Sequence, residues 1–159
     1  MQKYSVKAIG QSISNEEGFF VQLFSEYKVG LKGLQGFSHL NVLYWFDQLD
    51  SPEMREILET EQPYKESPKT MGTFAIRGPI RPNPIAFSVV EILAIDEEQG
   101  LIQVGYLDAE DGSPILDLKP YTPSMDRVEA PTVPVWCEKW PKNIESSGDF
   151  DWASVFNFE

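Results

Sequence analysis

Residues 77–84 read Arg-Gly-Pro-Ile-Arg-Pro-Asn-Pro, with prolines at 79, 82 and 84. Each proline fixes its own φ, lacks an N–H and restricts the residue before it. The stretch therefore excludes both a helix and an inner strand, and forms a stiff loop. A strand-like run over residues 72–76 leads into it, and an apolar run over 87–95 leads out. If Arg77, Arg81 and Asn83 meet a ligand, a stiff loop leaves little ordering entropy to lose on binding. The same features also describe a rigid connector with two solvated arginines, and the residues alone leave both readings open.

The rest of the chain supplies short strands separated by turn residues. Residues 4–9 alternate apolar and polar and read as a first strand, 11–18 as a long turn, and 18–24 as a second strand closing a hairpin. Ser25 is placed to cap a short helix over 26–34 that ends at Gly36. Residues 38–46 form a continuous apolar run, expected to be a buried central strand. His39 opens that strand and is read as a structural hydrogen-bonder to the turn at Gly36, with a general-base role as the alternative. Ser51-Pro52-Glu53 opens a helix carrying Met54, Ile57 and Leu58 and ending near Thr60. Residues 61–69, with Pro63 and Pro68, form an exposed loop. The runs 88–95 and 101–108 flank the turn 96–100 as a hairpin, and 114–118 is a last strand. Beyond residue 124, Trp136, Trp140, Phe150, Trp152, Phe156 and Phe158 crowd a segment too apolar to float free. The expected fold is mainly β. It is a closed or partly open β-barrel of short strands with one or two short helices, over residues 1–123, and an aromatic-rich extension over 124–159 packed on the barrel or on a partner subunit.

Composition narrows the function. With 42% hydrophobic and 13% aromatic residues among 159, the chain can bury a core. The single Cys137 allows no internal disulfide, no apolar run spans a membrane, and no signal-peptide core opens the chain, so a cytoplasmic location is expected. One His and one Cys far apart offer no metal cluster. The net charge of −12, with 13 basic against 25 acidic residues, disfavours a nucleic-acid partner, since affinity for phosphates comes from Lys and Arg. No glycine-rich turn of the dinucleotide-binding kind follows a strand.

Three motifs carry a family resemblance. The first is Gly30-Leu-Lys-Gly-Leu-Gln-Gly36-Phe-Ser-His39-Leu-Asn-Val-Leu-Tyr-Trp-Phe46. The second is Gly72-Thr-Phe-Ala-Ile-Arg77-Gly-Pro-Ile-Arg81-Pro-Asn83-Pro-Ile-Ala-Phe87-Ser-Val-Val. The third is Leu107-Asp108-Ala-Glu-Asp111-Gly112-Ser-Pro-Ile-Leu-Asp117-Leu-Lys119-Pro-Tyr121-Thr-Pro123. In this order they resemble the signatures of the TsaA-like (TrmO) family. The resemblance implies an S-adenosylmethionine-dependent methyltransferase built on a β-barrel, whose best-known members methylate N6 of a threonylcarbamoylated adenosine beside the tRNA anticodon. It further implies a homodimer. It places the cofactor among Asp47, Gln48, Arg77, Phe87, Gly105, Tyr106, Leu107 and Asp108, with Arg77 suited to the cofactor's carboxylate and Arg81 and Asn83 on the substrate side. Asp111, Asp117, Lys119 and Tyr121 are the catalytic candidates, to orient a nucleophile or take its proton. Against that, Asp111-Gly112 can simply turn the chain, and Asp117 can pair with Lys119 or Arg81 inside the fold. Three features depart from the family pattern: a Pro-Arg-Gln cofactor contact has no counterpart, aspartate stands at 47 in place of histidine, and the tail carries Trp-Cys-x-x-Trp-Pro. With the acidity, these keep two other readings in view. One is methyl transfer to a small metabolite; the other is a non-catalytic S-adenosylmethionine-binding module.

Overall fold

The computed structural model describes residues 2–157. Six strands close into an antiparallel barrel in the order β1-β2-β7-β6-β3-β8. They are β1 (Gly10–Asn15), β2 (Gly18–Leu23), β3 (His39–Trp45), β6 (Ile85–Asp96), β7 (Leu101–Val104) and β8 (Pro114–Pro120). Two further strands, β4 (Glu59–Glu61) and β5 (Thr70–Gly72), form a separate two-stranded sheet. Strand alternation fills the barrel: Leu40, Val42 and Tyr44 of β3 join Val21, Ala86, Val90, Ile102, Val104 and Ile115 in one buried cluster. Strand β6 pairs with β3 through its first half and with β7 through its second, and a register shift between Ile92 and Ala94 marks where it turns the corner.

By contacts the chain falls into two units, one of residues 2–50 and 84–127 and one of 51–83 and 128–157. The first is the barrel. The second holds β4, β5, the proline loop and the C-terminal aromatics.

Several local expectations need correction. Residues 4–9 form no strand, and Tyr4 and Val6 are exposed. The first strand is instead 10–15, which but for Gly10 lies inside the stretch 11–18 read as a turn. Its inward positions are Gly10 and Ser12, so it shows no apolar alternation. A Cβ on Gly10 would overlap the Gln22 carbonyl oxygen, and the Ser12 hydroxyl donates to the Glu110 carbonyl at 2.6 Å. The loop to β2 is short, since Asn15 pairs with Gly18 and Gly18 takes φ 126°. The helix over 26–34 is a 3-10 helix at Ser25–Leu31, preceded by Phe24 with no side-chain cap.

Helix α1 (Pro52–Arg55) starts as expected, with the Ser51 hydroxyl accepting from the Met54 N–H at 3.2 Å. It stops after one turn, closed by 3-10-type bonds from the Glu56 and Ile57 N–H groups to the Glu53 and Met54 carbonyls, and the Ile57 and Leu58 carbonyls beyond it accept from the Thr73 hydroxyl and N–H. Residues 73–75 then form a 3-10 turn closed by the Ile76 N–H on the Thr73 carbonyl, so the strand read over 72–76 ends at Gly72. Two more one-turn helices, α2 (Pro123–Asp126) and α3 (Ile144–Ser147), complete the chain.

Candidate functional site

The strand directions put several family-motif residues at one rim of the barrel. Strand β3 ends there, β6 and β8 begin there, and β7 exits there, as the pairs Trp45–Ile85, Tyr44–Ile115 and Phe19–Val104 show. Beyond β3 the chain makes a 3-10 turn at Asp47–Leu49. The Trp45 indole N–H pins this turn by donating to Asp50 at 2.9 Å, and Asp47 and Gln48 stay exposed.

The exit of β7 builds the other side of the rim. The Gly105 N–H donates to the Glu91 carbonyl at 3.0 Å, and Leu107 is buried in the core cluster. Inside the barrel the Tyr44 hydroxyl donates to the Asp108 carbonyl and lies 3.3 Å from the Ser88 hydroxyl. The backbone of Asp108 is thus anchored from below while its carboxylate faces outward. The Tyr106 ring meets Phe19 edge-on at 5.1 Å, and its hydroxyl lies 3.4 Å from the Asp108 carboxylate. Burial, followed by the Asp108 charge and that hydrogen bond, raises the Tyr106 pKa above the ordinary tyrosine value. The Tyr106 hydroxyl is placed to donate to the Asp108 carboxylate.

The catalytic candidates do not gather in one place. Asp111 lies on the rim loop, where its carboxylate accepts the Ser14 N–H at 2.9 Å; Gly112, at φ 80°, donates to the Ser12 carbonyl. The pair makes the turn that hands the chain to β8. Asp117 stands on the outer wall, in register with Leu43 and, across β3, with Phe87. It pairs with Lys119 at 2.7 Å, both side chains being largely exposed; its hydrogen bond and charge raise the Lys119 pKa. Tyr121 lies toward the opposite end, its N–H donating to the His39 carbonyl. The His39 ring bonds the Ser38 hydroxyl at 2.8 Å and meets Tyr121 edge-on at 6.1 Å, so its partner is Ser38 and not the turn at Gly36.

Arg77, Arg81 and Asn83 belong to the second unit. Arg81 folds back on its own loop and donates to the carbonyls of Ile76 and Gly78 at 3.3 and 3.0 Å. It thereby holds the loop in shape. Arg77 and Asn83 are exposed residues.

Three residues of interest escaped the sequence reading. Tyr44 and Ser88 anchor the rim from inside, and only their inward register reveals it. Asn41 faces outward on β3, between Val89 and Lys119, is 4% exposed, and its Oδ1 lacks a hydrogen-bond partner among the described residues. A buried unpaired amide oxygen is uncommon. The available signal was a lone polar residue inside the apolar run over 40–46. No group of three potential metal ligands occurs among the described residues.

Asp47, Asp108 and Asp111 are exposed on segments that leave this end of the barrel, and the Asp108 carboxylate lies beside the Tyr106 hydroxyl. Such a set suits a cationic ligand or one bearing vicinal hydroxyls. Residues 8–127 match the family described as the tRNA-methyltransferase O N-terminal domain. A relative from Archaeoglobus fulgidus, named "Probable S-adenosyl-L-methionine-binding protein", is 39% identical over 122 residues, covering 77% of this chain and 31% of its own length. The tRNA (adenine(37)-N6)-methyltransferase of Escherichia coli is 37% identical over 95 residues, covering 58% of this chain and 40% of its own. Among solved structures, TrmO from P. aeruginosa superposes with a TM-score of 0.64 at 26% identity, covering 85% of this chain and 62% of that one. In each case the chain spans less than two thirds of the other protein's length.

Proposed function

The chain belongs to the family of tRNA-methyltransferase O N-terminal domains, and from that membership we propose that it binds S-adenosylmethionine and transfers its methyl group to N6 of an adenine in tRNA. The observation that carries this reading is the extent of the family match. Residues 8–127 contain all six barrel strands and the whole rim. By family precedent the acceptor is the threonylcarbamoylated adenosine beside the anticodon.

When bound, S-adenosylmethionine supplies an electrophilic methyl group on a positively charged sulfur. The residues present fit such a ligand. The Asp108 carboxylate, held by its Tyr44-anchored backbone, accepts from ribose hydroxyls. Asp47 and Gln48 add an acceptor and an amide on the neighbouring turn. For the methionine carboxylate the family resemblance alone points to Arg77, since a guanidinium binds a carboxylate bidentately. The Tyr106 hydroxyl donates to Asp108 and helps to orient it. Holding the reactants in a fixed, dry geometry is the protein's main contribution to a displacement of this kind.

The net charge of −12 favours a second reading, methyl transfer to a small metabolite, because an acidic surface repels RNA. Incubation with methyl-labelled S-adenosylmethionine and either total tRNA or a metabolite extract separates the two. The proposal expects label in tRNA. Label in small molecules alone replaces the acceptor, and label in neither reduces the protein to a binding module.

We also propose a homodimer, supported by the exposed Ile85, Phe87 and Leu93 along the outer face of β6; a monomeric mass in light scattering contradicts it. No helix among the described residues is long and apolar enough to cross a membrane, and a cytoplasmic location is part of the proposal.

A further inference from the structure

Phe74 is 81% exposed, although a phenylalanine ring gains from leaving water. A braced turn holds it out. On one side Thr73, itself buried, donates its N–H to the Leu58 carbonyl at 2.8 Å and its hydroxyl to the Ile57 carbonyl at 3.2 Å. The Ile76 N–H closes the 3-10 turn on the Thr73 carbonyl at 3.4 Å. On the other side Arg81 donates to the Ile76 and Gly78 carbonyls at 3.3 and 3.0 Å. All of these residues belong to the second unit. Ile57 and Leu58, on the segment bonded to the turn, are also exposed and widen the apolar surface.

The chain's acidity lapses in the same stretch. Residues 67–90 hold no Asp or Glu, the longest such run in a chain with 25 of them, and they carry Lys69, Arg77 and Arg81. Glu59 and Glu61 stand across on β4, in register with Gly72 and Thr70, so the charge around the hairpin is mixed rather than acidic. Phosphate contacts cannot supply most of the RNA affinity of a chain with net charge −12. Stacking on an aromatic ring can, because every base has a π-face and the contact needs no cation. Unpaired bases in RNA loops are commonly held in this way.

We infer that Phe74 is a stacking platform for an unpaired base of the RNA substrate. The inference rests on the tRNA reading proposed above and adds to it the residue that grips the loop. A braced turn suits the role, because a residue already held in place loses little freedom on binding. A second copy of the chain is the less fitting occupant, since the proposed homodimer has its own apolar face on β6.

Fluorescence anisotropy tests this, with the full chain titrated into a labelled RNA hairpin whose loop is unpaired and into the same stem closed as a duplex. The parent chain is expected to bind the hairpin more tightly than the duplex. Phe74→Ala is expected to weaken hairpin binding about tenfold, the worth of one stacked base. The factor is expected to be the same at low and high salt, because a stacked ring releases no counterions. Phe74→Tyr keeps the π-face and is expected to stay within about twofold of the parent, whereas Phe74→Leu keeps apolar bulk alone and is expected to lose as much as Phe74→Ala. Calorimetry should give all variants the parent's affinity for S-adenosylmethionine, and circular dichroism checks folding. Unchanged hairpin binding in Phe74→Ala, or full rescue by leucine, overturns the inference and leaves the tRNA reading standing. A parent chain that binds neither the hairpin nor total tRNA overturns both. A fall from dimer to monomer mass in Phe74→Ala with RNA affinity intact gives the ring to a second copy and overturns the inference too. If Phe74→Ala does not fold, Phe74→Leu against Phe74→Tyr carries the same comparison.

Discussion

At the scale of single residues, the rim divides labour between backbone and side chain. Tyr44 fixes the backbone of Asp108, which frees the Asp108 carboxylate for a ligand. Replacing Asp108 by Asn is expected to weaken S-adenosylmethionine binding by about 1.5–3 kcal/mol, the worth of hydrogen bonds to a charged group, with the melting temperature unchanged; calorimetry and a thermal scan check both. Asp117→Asn should leave binding and the melting temperature alike, since its ion pair with Lys119 is solvent-exposed. Tyr64 and Tyr106 provide a pH test. Both have pKa values raised chiefly by burial, so the fold favours their protonated forms. Their contribution to stability is fully present below the ordinary tyrosine pKa of about 10 and is lost as pH rises through the higher folded values. Ultraviolet titration should show that Tyr64→Phe and Tyr106→Phe each remove one late-ionising tyrosine. The alternative pairing of Asp117 with Lys119 was legible, because strand residues two apart share a face. The role of Tyr44 was not, because an inward tyrosine reads as core until its partner is known.

Among the elements, the strands carried by their own apolar runs and turn residues were legible in place if not in length: β2, β3 and the β6–β7 hairpin are found, but β7 stops at Val104, short of the 101–108 read for it, and β6 starts at Ile85. Strand β1 was not, and its chemistry explains why. It lies between β2 and β8 where the barrel closes, and its inward positions are a glycine and a serine. Gly10→Ala forces a Cβ into the backbone of β2, and is expected to cost about 1–3 kcal/mol or more of stability by overpacking against atoms that cannot move aside. Gly30→Ala meets nothing within 4 Å and takes no positive φ, so it should be neutral or slightly stabilising. Equal melting temperatures for the two variants contradict this account of the closing strand. The one-turn length of α1 was not legible either: the carbonyls that follow it pair with Thr73, far along the chain.

For the molecule as a whole, the barrel and its family were readable from three motifs, while the grouping of residues 51–83 with the C-terminal segment was not. Aromatic density announces that a segment packs, but not on what. The acidity bears on partners: a chain with net charge −12 should bind bulk tRNA weakly, and that binding should fall steeply as salt rises if a local basic patch mediates it. Gel-shift titrations at two salt concentrations measure this, and salt-independent binding contradicts a phosphate-led interaction. The central claim, however, is the cofactor, and isothermal titration of the purified chain with S-adenosylmethionine tests it most directly. The account predicts saturable binding that Asp108→Asn weakens. Absence of binding heat together with an unshifted melting temperature at saturating ligand would contradict it.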